Sequence, residues 1–356
     1  MAHVDKKMIV VVLVACLVVV VVISAVQHMD GSEDAADLEG DQYTFLDAKG
    51  VKHTVNVPLT NVSVVHKYIP VFMKILGVEE EVAGLDSTHG ITFKDYFPNS
   101  YSIGTFSEPD GPTMIKNGSK VILTPVTMGL SNSNALSALG IEVIYLDLTD
   151  PYVIGENLEI LVNLFGATEE VRANQERYME FFTECGEFVD SFDFDDTEDK
   201  NFALYMSSSG FMQTHASAAV KVIEEVSGKS YTNITDPNTK DTVYFNPNSA
   251  DLVDFDGEHG LDYVFLYSLD TPEKNYDKFL AFGGDINLKD LSCIKNKQVY
   301  SISTDCVNGA LSCISQILYA EAYGADVGNK AAEMISAFNE EFGLHYSIDD
   351  LLVSVA

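Results

Sequence analysis

The chain has 356 residues, of which 46% are apolar and which include 20 Phe and 17 Tyr. That is enough for two domains with real cores, and it excludes a disordered acidic protein. Lys and Arg total 21 against 54 Asp and Glu, a formal charge of −33; a nucleic-acid partner is excluded, because binding one needs a basic surface.

Residues 8–26 form an apolar run about as long as a bilayer-spanning helix requires. Lys6 and Lys7 precede it and an acidic stretch, 30–41, follows. The positive-inside rule then leaves the short N-terminus in the cytoplasm and everything after residue 27 outside. Residues 1–26 are expected to stay as a single-pass membrane anchor. The alternative is cleavage at the lipoprotein-type box Leu13-Val-Ala-Cys16, with a lipid on Cys16. Residues 27–41 have no periodicity and read as a flexible acidic tether.

A β-hairpin follows, 43–50 and 51–58, with apolar residues alternating about a Lys-Gly turn. Residues 61–65 read as a buried strand that ends in His66, Lys67 and Tyr68. The spacing predicts a helix over 69–76, closed at Gly77 by a left-handed cap, and then a strand at 82–86. Further strands at 100–104, 120–123 and 142–146 alternate with helical stretches. This is the pattern of a parallel sheet covered on both faces, here an N-terminal lobe over 42–166.

Residues 155–164 and 168–192 are helical by spacing, with Thr168 as a cap. The second stretch, within 167–193, would reach roughly 37 Å. A C-terminal α/β lobe, 194–356, starts with an acidic loop and the strand 202–206. It continues with a helix 216–226, a strand 261–266, a helix 271–282, a strand 299–302, and helices 308–323, 328–342 and 347–353. Ser207-Ser-Ser-Gly210 is expected to lead the chain out of the second sheet. Outside the cell a disulfide is permitted, and Cys185, Cys293, Cys306 and Cys313 leave the pairing open. Asn61, Asn117 and Asn233 begin N-glycosylation sequons.

The segment 43–86 resembles the opening of the substrate-binding proteins of ABC importers for ferric siderophores, cobalamin and haem. The residues that carry the likeness are Asp47, Gly50, Val55, Val57, Pro58, Leu76, Gly77, Gly84, Leu85 and Asp86. It continues through Ser102-Ile-Gly104, Pro109-Asp110, 120–123, 139–146 and 294–300. The resemblance implies an α/β fold of two Rossmann-like lobes joined by a single long helix. It also implies a ligand that is a metal chelate (ferric siderophore, corrinoid or haem), a permease partner, no cofactor and no catalysis. No nucleophile elbow, phosphate loop, zinc-protease or dinucleotide motif is present to suggest an enzyme. The histidines are scattered, which disfavours a receptor for a bare metal ion.

In α/β sheets ligands bind beyond the carboxyl ends of the strands. The candidates in the first lobe are therefore His66, Lys67, Tyr68, Ser87, His89, Tyr96, Thr124 and Thr127. In the second they are Ser208, Phe211, Met212, His215, Tyr244, Tyr267 and Asp305. Aromatic and small polar groups suit a large chelate with an apolar rim. The family also docks on permease arginines through one glutamate per lobe. This sequence departs from that pattern: Pro112 stands at the first position with Asp110 as the nearest acid, and Asp251 or Asp254 falls near the second.

Overall fold

The computed structural model describes residues 42–88, 93, 95–127, 129–191, 200–226, 228–230 and 242–356, with the backbone alone at 228–230. The expected anchor (1–26), the tether (27–41), Cys16, His89, the Asn233 sequon and most of the acidic loop lie outside these residues. Among the described residues no helix is long and apolar enough to cross a membrane. Two compact units are present. The first takes the chain up to Asp147 plus Val153–Met179; the second takes Leu148–Tyr152 and Glu180–Ala356.

Unit 1 opens with the hairpin β1 (Gln42–Leu46) and β2 (Lys52–Asn56), paired antiparallel with Gln42 opposite Asn56. Its main sheet contains β3 (Val62–Val64), β4 (Val82–Leu85), β5 (Tyr101–Ser102), β6 (Val121–Pro125) and β7 (Glu142–Leu146). The order is β5-β4-β3-β6-β7 and every pair is parallel. β3 is buried on both faces, as a central parallel strand must be.

Between the strands run α1 (Tyr68–Leu76), α2 (Gly111–Lys116) and α3 (Ser133–Ala138), and α4 (Ile154–Leu164) follows. α1 buries every residue but Lys74 and ends at Gly77 in the left-handed region. Val65, Ile103, Met114, Ile122, Leu130, Leu136 and Ile141 form one core cluster. Gly84 is required by packing: a Cβ there would sit 2.5 Å from Ser63 Oγ and 2.6 Å from Ile103 Cγ2.

The long helix α5 (Glu169–Asp190) is capped as expected by Thr168, whose Oγ1 accepts from the Val171 amide at 3.3 Å. The division between units falls inside it, after Met179. In its unit 1 half, Tyr178 meets the Phe72 ring edge-on at 5.2 Å and Asn174 Nδ2 donates to the Leu76 carbonyl at 3.0 Å, closing α1.

Unit 2 holds a mixed sheet of β8 (Lys200–Met206), β9 (Phe211–Gln213), β10 (Gly228–Ser230), β11 (Tyr244–Phe245), β12 (Tyr263–Tyr267), β13 (Val299–Ile302) and β14 (Leu352–Ser354). The order is β11-β9-β8-β12-β13-β14, with β10 also on β8. β10, β8, β12 and β13 are parallel; β9 and β14 run against them, and β11, antiparallel to β9, shares the direction of β8. Its helices are α6 (Ala218–Val226), α7 (Ser249–His259), α8 (Pro272–Phe282), α9 (Ser292–Lys295), α10 (Thr304–Val307), α11 (Ser312–Ala322) and α12 (Lys330–Phe342).

β12 is buried at all five positions because both faces are covered. Val264 and Leu266 join Phe255 of α7 and Phe279 of α8 in one cluster. The alternate residues Tyr263 and Phe265 meet Tyr323 and Tyr319 edge-on at 4.7 and 4.9 Å.

Three expectations need correction. The helix expected over 308–323 begins only at Ser312, after Gly309, whose φ of +111° no right-handed helix can include, and the short α10 precedes it at Thr304–Val307. Residues 347–353 are not a helix either. Ile348–Asp350 makes one 3-10 turn and Leu352–Ser354 pairs with β13, where a sheet edge was open. Ser207–Gly210 does not lead the chain away from the sheet but turns it straight back, placing Phe211 opposite Met206. The four described cysteines are buried and form no disulfide with one another.

Candidate functional site

In unit 1 the carboxyl ends of β3 and β4 are tied together by Asp86, a buried residue. Its carboxylate accepts from the His66 amide at 2.8 Å and from the Thr88 amide at 2.9 Å. His66 adopts a left-handed φ of +67°, and its ring lies 4.4 Å from the Tyr68 ring and 6.4 Å from Phe106. The chain thus turns sharply at the strand end, and the strain of a non-glycine residue there is borne by a charge-assisted hydrogen bond.

His66, Lys67 and Tyr68 are all buried, and Tyr68 is already the first residue of α1. Sequence reasoning placed them at the carboxyl end of the first strand as ligand contacts; in the structure they are packed, with Lys67 Nζ 5.8 Å over the Tyr68 ring. Ser87 and Thr127 are exposed, and Tyr96 is half-buried beside Phe93. Thr124 is fully buried and its hydroxyl has no hydrogen-bond partner among the described residues.

In unit 2 the strand ends are gathered by Asn275 of α8, which sequence reasoning missed. Ser207 after β8 and Ser268 after β12 each donate to Asn275 Oδ1 at 2.5 Å, while its Nδ2 donates to Ser301 of β13 at 2.9 Å. One buried amide therefore bridges three adjacent strands with its polar atoms satisfied, which fixes their ends more rigidly than loops alone would.

Phe211 and Tyr244 are exposed at the edge formed by β9 and β11, 39% and 41% accessible, and Leu269 beyond β12 is 64% accessible. Tyr244 is held from behind. Burial pushes the Tyr244 phenol up, and the Tyr267 hydroxyl pulls it partly back. Gln213 Nε2 donates to Tyr267 Oη at 2.5 Å, and Ser217 donates to Gln213 Oε1.

Met212 is a correction. It is fully buried in the unit 2 cluster, because alternation along β9 sends its side chain opposite to that of Phe211. Tyr267, also buried, supports Tyr244 instead of presenting a surface of its own. Ser208 is exposed, His215 half-buried, and Asp305 half-buried in the first turn of α10.

Of the docking candidates, Asp110 caps α2: its carboxylate accepts from the Thr113 hydroxyl at 2.6 Å and the Thr113 amide at 3.1 Å, which holds its pKa below the ordinary carboxylate value. Asp251 and Asp254 lie on the exposed side of α7, opposite the buried Leu252 and Phe255. Among the described residues no group of three or more His, Cys, Asp or Glu is placed to hold a metal ion.

No family model matches the sequence, and no curated protein matches it. Solved structures do match in fold. The TroA-like periplasmic binding protein FepB from Veillonella parvula is 15% identical, over 88% of this chain and 99% of that one, at a TM-score of 0.61. An ABC-type Fe3+-hydroxamate transport system protein from Saccharomonospora viridis is 16% identical, over 79% and 99%, with a TM-score of 0.61. A periplasmic heme binding protein from Pseudomonas aeruginosa is 13% identical, over 74% and 93%, with a TM-score of 0.58. At these identities the likeness is one of fold, and it agrees with the resemblance carried by residues 43–86: the chain has the α/β fold of the TroA-like periplasmic binding proteins.

Proposed function

We propose that the protein is the extracytoplasmic substrate-binding component of an ABC importer, binding an iron chelate and delivering it to a permease. The ligand is held by residues at strand ends, and the protein does no covalent chemistry. Residues 1–26 anchor it to the membrane and 27–41 provide reach. The observation that carries this reading is the fold likeness over most of the chain to an Fe3+-hydroxamate transport protein and a heme binding protein. The exposed pair Phe211 and Tyr244, backed by buried Gln213 and Tyr267, adds an apolar contact of the kind a chelate rim requires.

The test is a thermal-shift screen of the full chain in detergent against ferric siderophores, a corrinoid and haem. A ligand that binds only the folded state raises the melting temperature by mass action. Stabilisation by a chelate is expected; a response to sugars or peptides with none to any chelate overturns the assignment. Corrinoid or haem binding by the same fold is the neighbouring alternative. A second reading, a surface sensor without transport coupling, is favoured by one observation: the Asp110 carboxylate is already engaged as a helix cap, and Pro112 replaces the family's docking glutamate. Capture of the full chain by a permease in the same membrane would exclude the sensor reading.

A further inference from the structure

Resting on the function proposed above, we infer that the site selects chelates of zero or positive net charge, of the ferric trihydroxamate class, against anionic ones such as ferric tricatecholates. Anionic ligands are recognised above all by arginine, whose planar fork meets oxyanions in bidentate fashion. This chain has only Arg172 and Arg177, and α5 carries both. Arg172 is engaged by Glu159 and Asn163 at 3.3 Å, and Arg177 by Asn174.

Among the proposed ligand-binding residues Lys67 alone carries a fixed positive charge. It is 6% exposed and lies over its neighbour's ring. Among the proposed residues of unit 2, Ser208, Phe211 and Tyr244 are exposed, and Asp305, half-buried, carries a negative charge. The formal charge of −33 adds a field that repels anions before contact.

The ligand chemistries divide along the same line. Three monoanionic hydroxamates neutralise a ferric ion, whereas three dianionic catecholates leave a trianion. Transferring a trianion onto aromatic surface without arginine partners is strongly unfavourable. A neutral chelate loses little hydration on the same surface.

The test titrates the full chain in detergent with ferric desferrioxamine B and with ferric enterobactin, at low salt and at about 1 M salt, where the screening length falls to about 3 Å. The trihydroxamate is expected to bind at least about tenfold more tightly at low salt, with the difference narrowing as salt rises. Equal or tighter binding of the tricatecholate at low salt overturns the inference. So does a preference that salt leaves unchanged, since shape and not charge would then be selecting. Binding of neither chelate overturns the proposed function itself, and the inference with it.

Discussion

His53 Nδ1 lies 2.5 Å from Glu142 Oε1, joining the second strand of the N-terminal hairpin to the edge strand β7. The other ring nitrogen, Nε2, is 3.0 Å from Asp47 Oδ2. Asp47 is the hub of this arrangement. Its Oδ1 accepts from the Lys49 and Val51 amides at 2.9 Å, shaping the hairpin turn, while Oδ2 also accepts from the Tyr145 amide of β7 at 3.2 Å. Lys49 Nζ completes the clamp 3.3 Å over the Tyr145 ring.

Replacing Asp47 with Ala would leave buried donors without acceptors, a loss of about 1–3 kcal/mol. D47A is therefore expected to lower the melting temperature and to speed amide exchange across 42–56. Unchanged exchange there would mean that the hairpin is held by its own pairing alone.

The neighbours Phe211 and Met212 separate ligand contact from scaffold. M212A should cost about 2–5 kcal/mol, as deletion of a large buried side chain does. The double change F211A/Y244A should leave the melting temperature within error and weaken chelate binding about tenfold or more. If the folded double variant binds as tightly as the parent, the ligand does not use this edge of unit 2.

The segments that were legible in the sequence carry their own signals. Alternation about Lys49-Gly50 gave the hairpin, and the Leu76-Gly77 ending gave the stop of α1. What failed was set at long range. Ile348, Leu351 and Leu352 are spaced like one face of a helix, but the open edge of β13 claims Leu352–Ser354 as a strand. Met212 was nominated for its position after a turn, and only the register of β8 with β9 decides which way it points. Gln213, Ser217 and Asn275 could not be singled out, since nothing local distinguishes a polar residue that a distant strand will bury from one that faces water. The Asp47 and Gly84 positions were visible as parts of a resemblance; their physical reasons, a turn hub and a close approach of Ser63 and Ile103, became visible only in three dimensions.

Burial should silence the cysteines. Burial pushes the Cys293 thiol up to about 12, and a hydrogen bond with Cys313, together with burial, pushes Cys185 well above the ordinary thiol value. Since the thiolate is the reactive form, alkylation of the native protein at pH 8, read by peptide mass spectrometry, should leave Cys185, Cys293, Cys306 and Cys313 unmodified. All four should react once guanidinium unfolds the chain. Rapid labelling of Cys185 or Cys313 in the native state would show that the packing between α5 and α11 opens readily.

Glu225 gives unit 2 a pH dependence whose sign can be worked out. The Tyr152 hydroxyl donates to its Oε1 at 2.7 Å. Desolvation is nevertheless the larger influence and, with the nearby Asp190, raises the carboxyl above its ordinary 4.5, while the Tyr152 hydrogen bond and Lys221 pull it down. A carboxyl with a raised folded pKa binds its proton more tightly in the folded state than in the unfolded one. Its ionisation therefore disfavours folding, with no penalty below the unfolded pKa, a growing one as pH rises to the raised value, and a constant one above. E225Q keeps an acceptor for Tyr152 but removes the charge. It should melt slightly higher than the parent at pH 7, by at most about 0.5 kcal/mol because solvent reaches the side chain and screens the partly desolvated carboxylate, and the two should coincide once pH falls below 4.5. A variant that is less stable than the parent at pH 7 would mean that the charged hydrogen bond to Tyr152 outweighs desolvation.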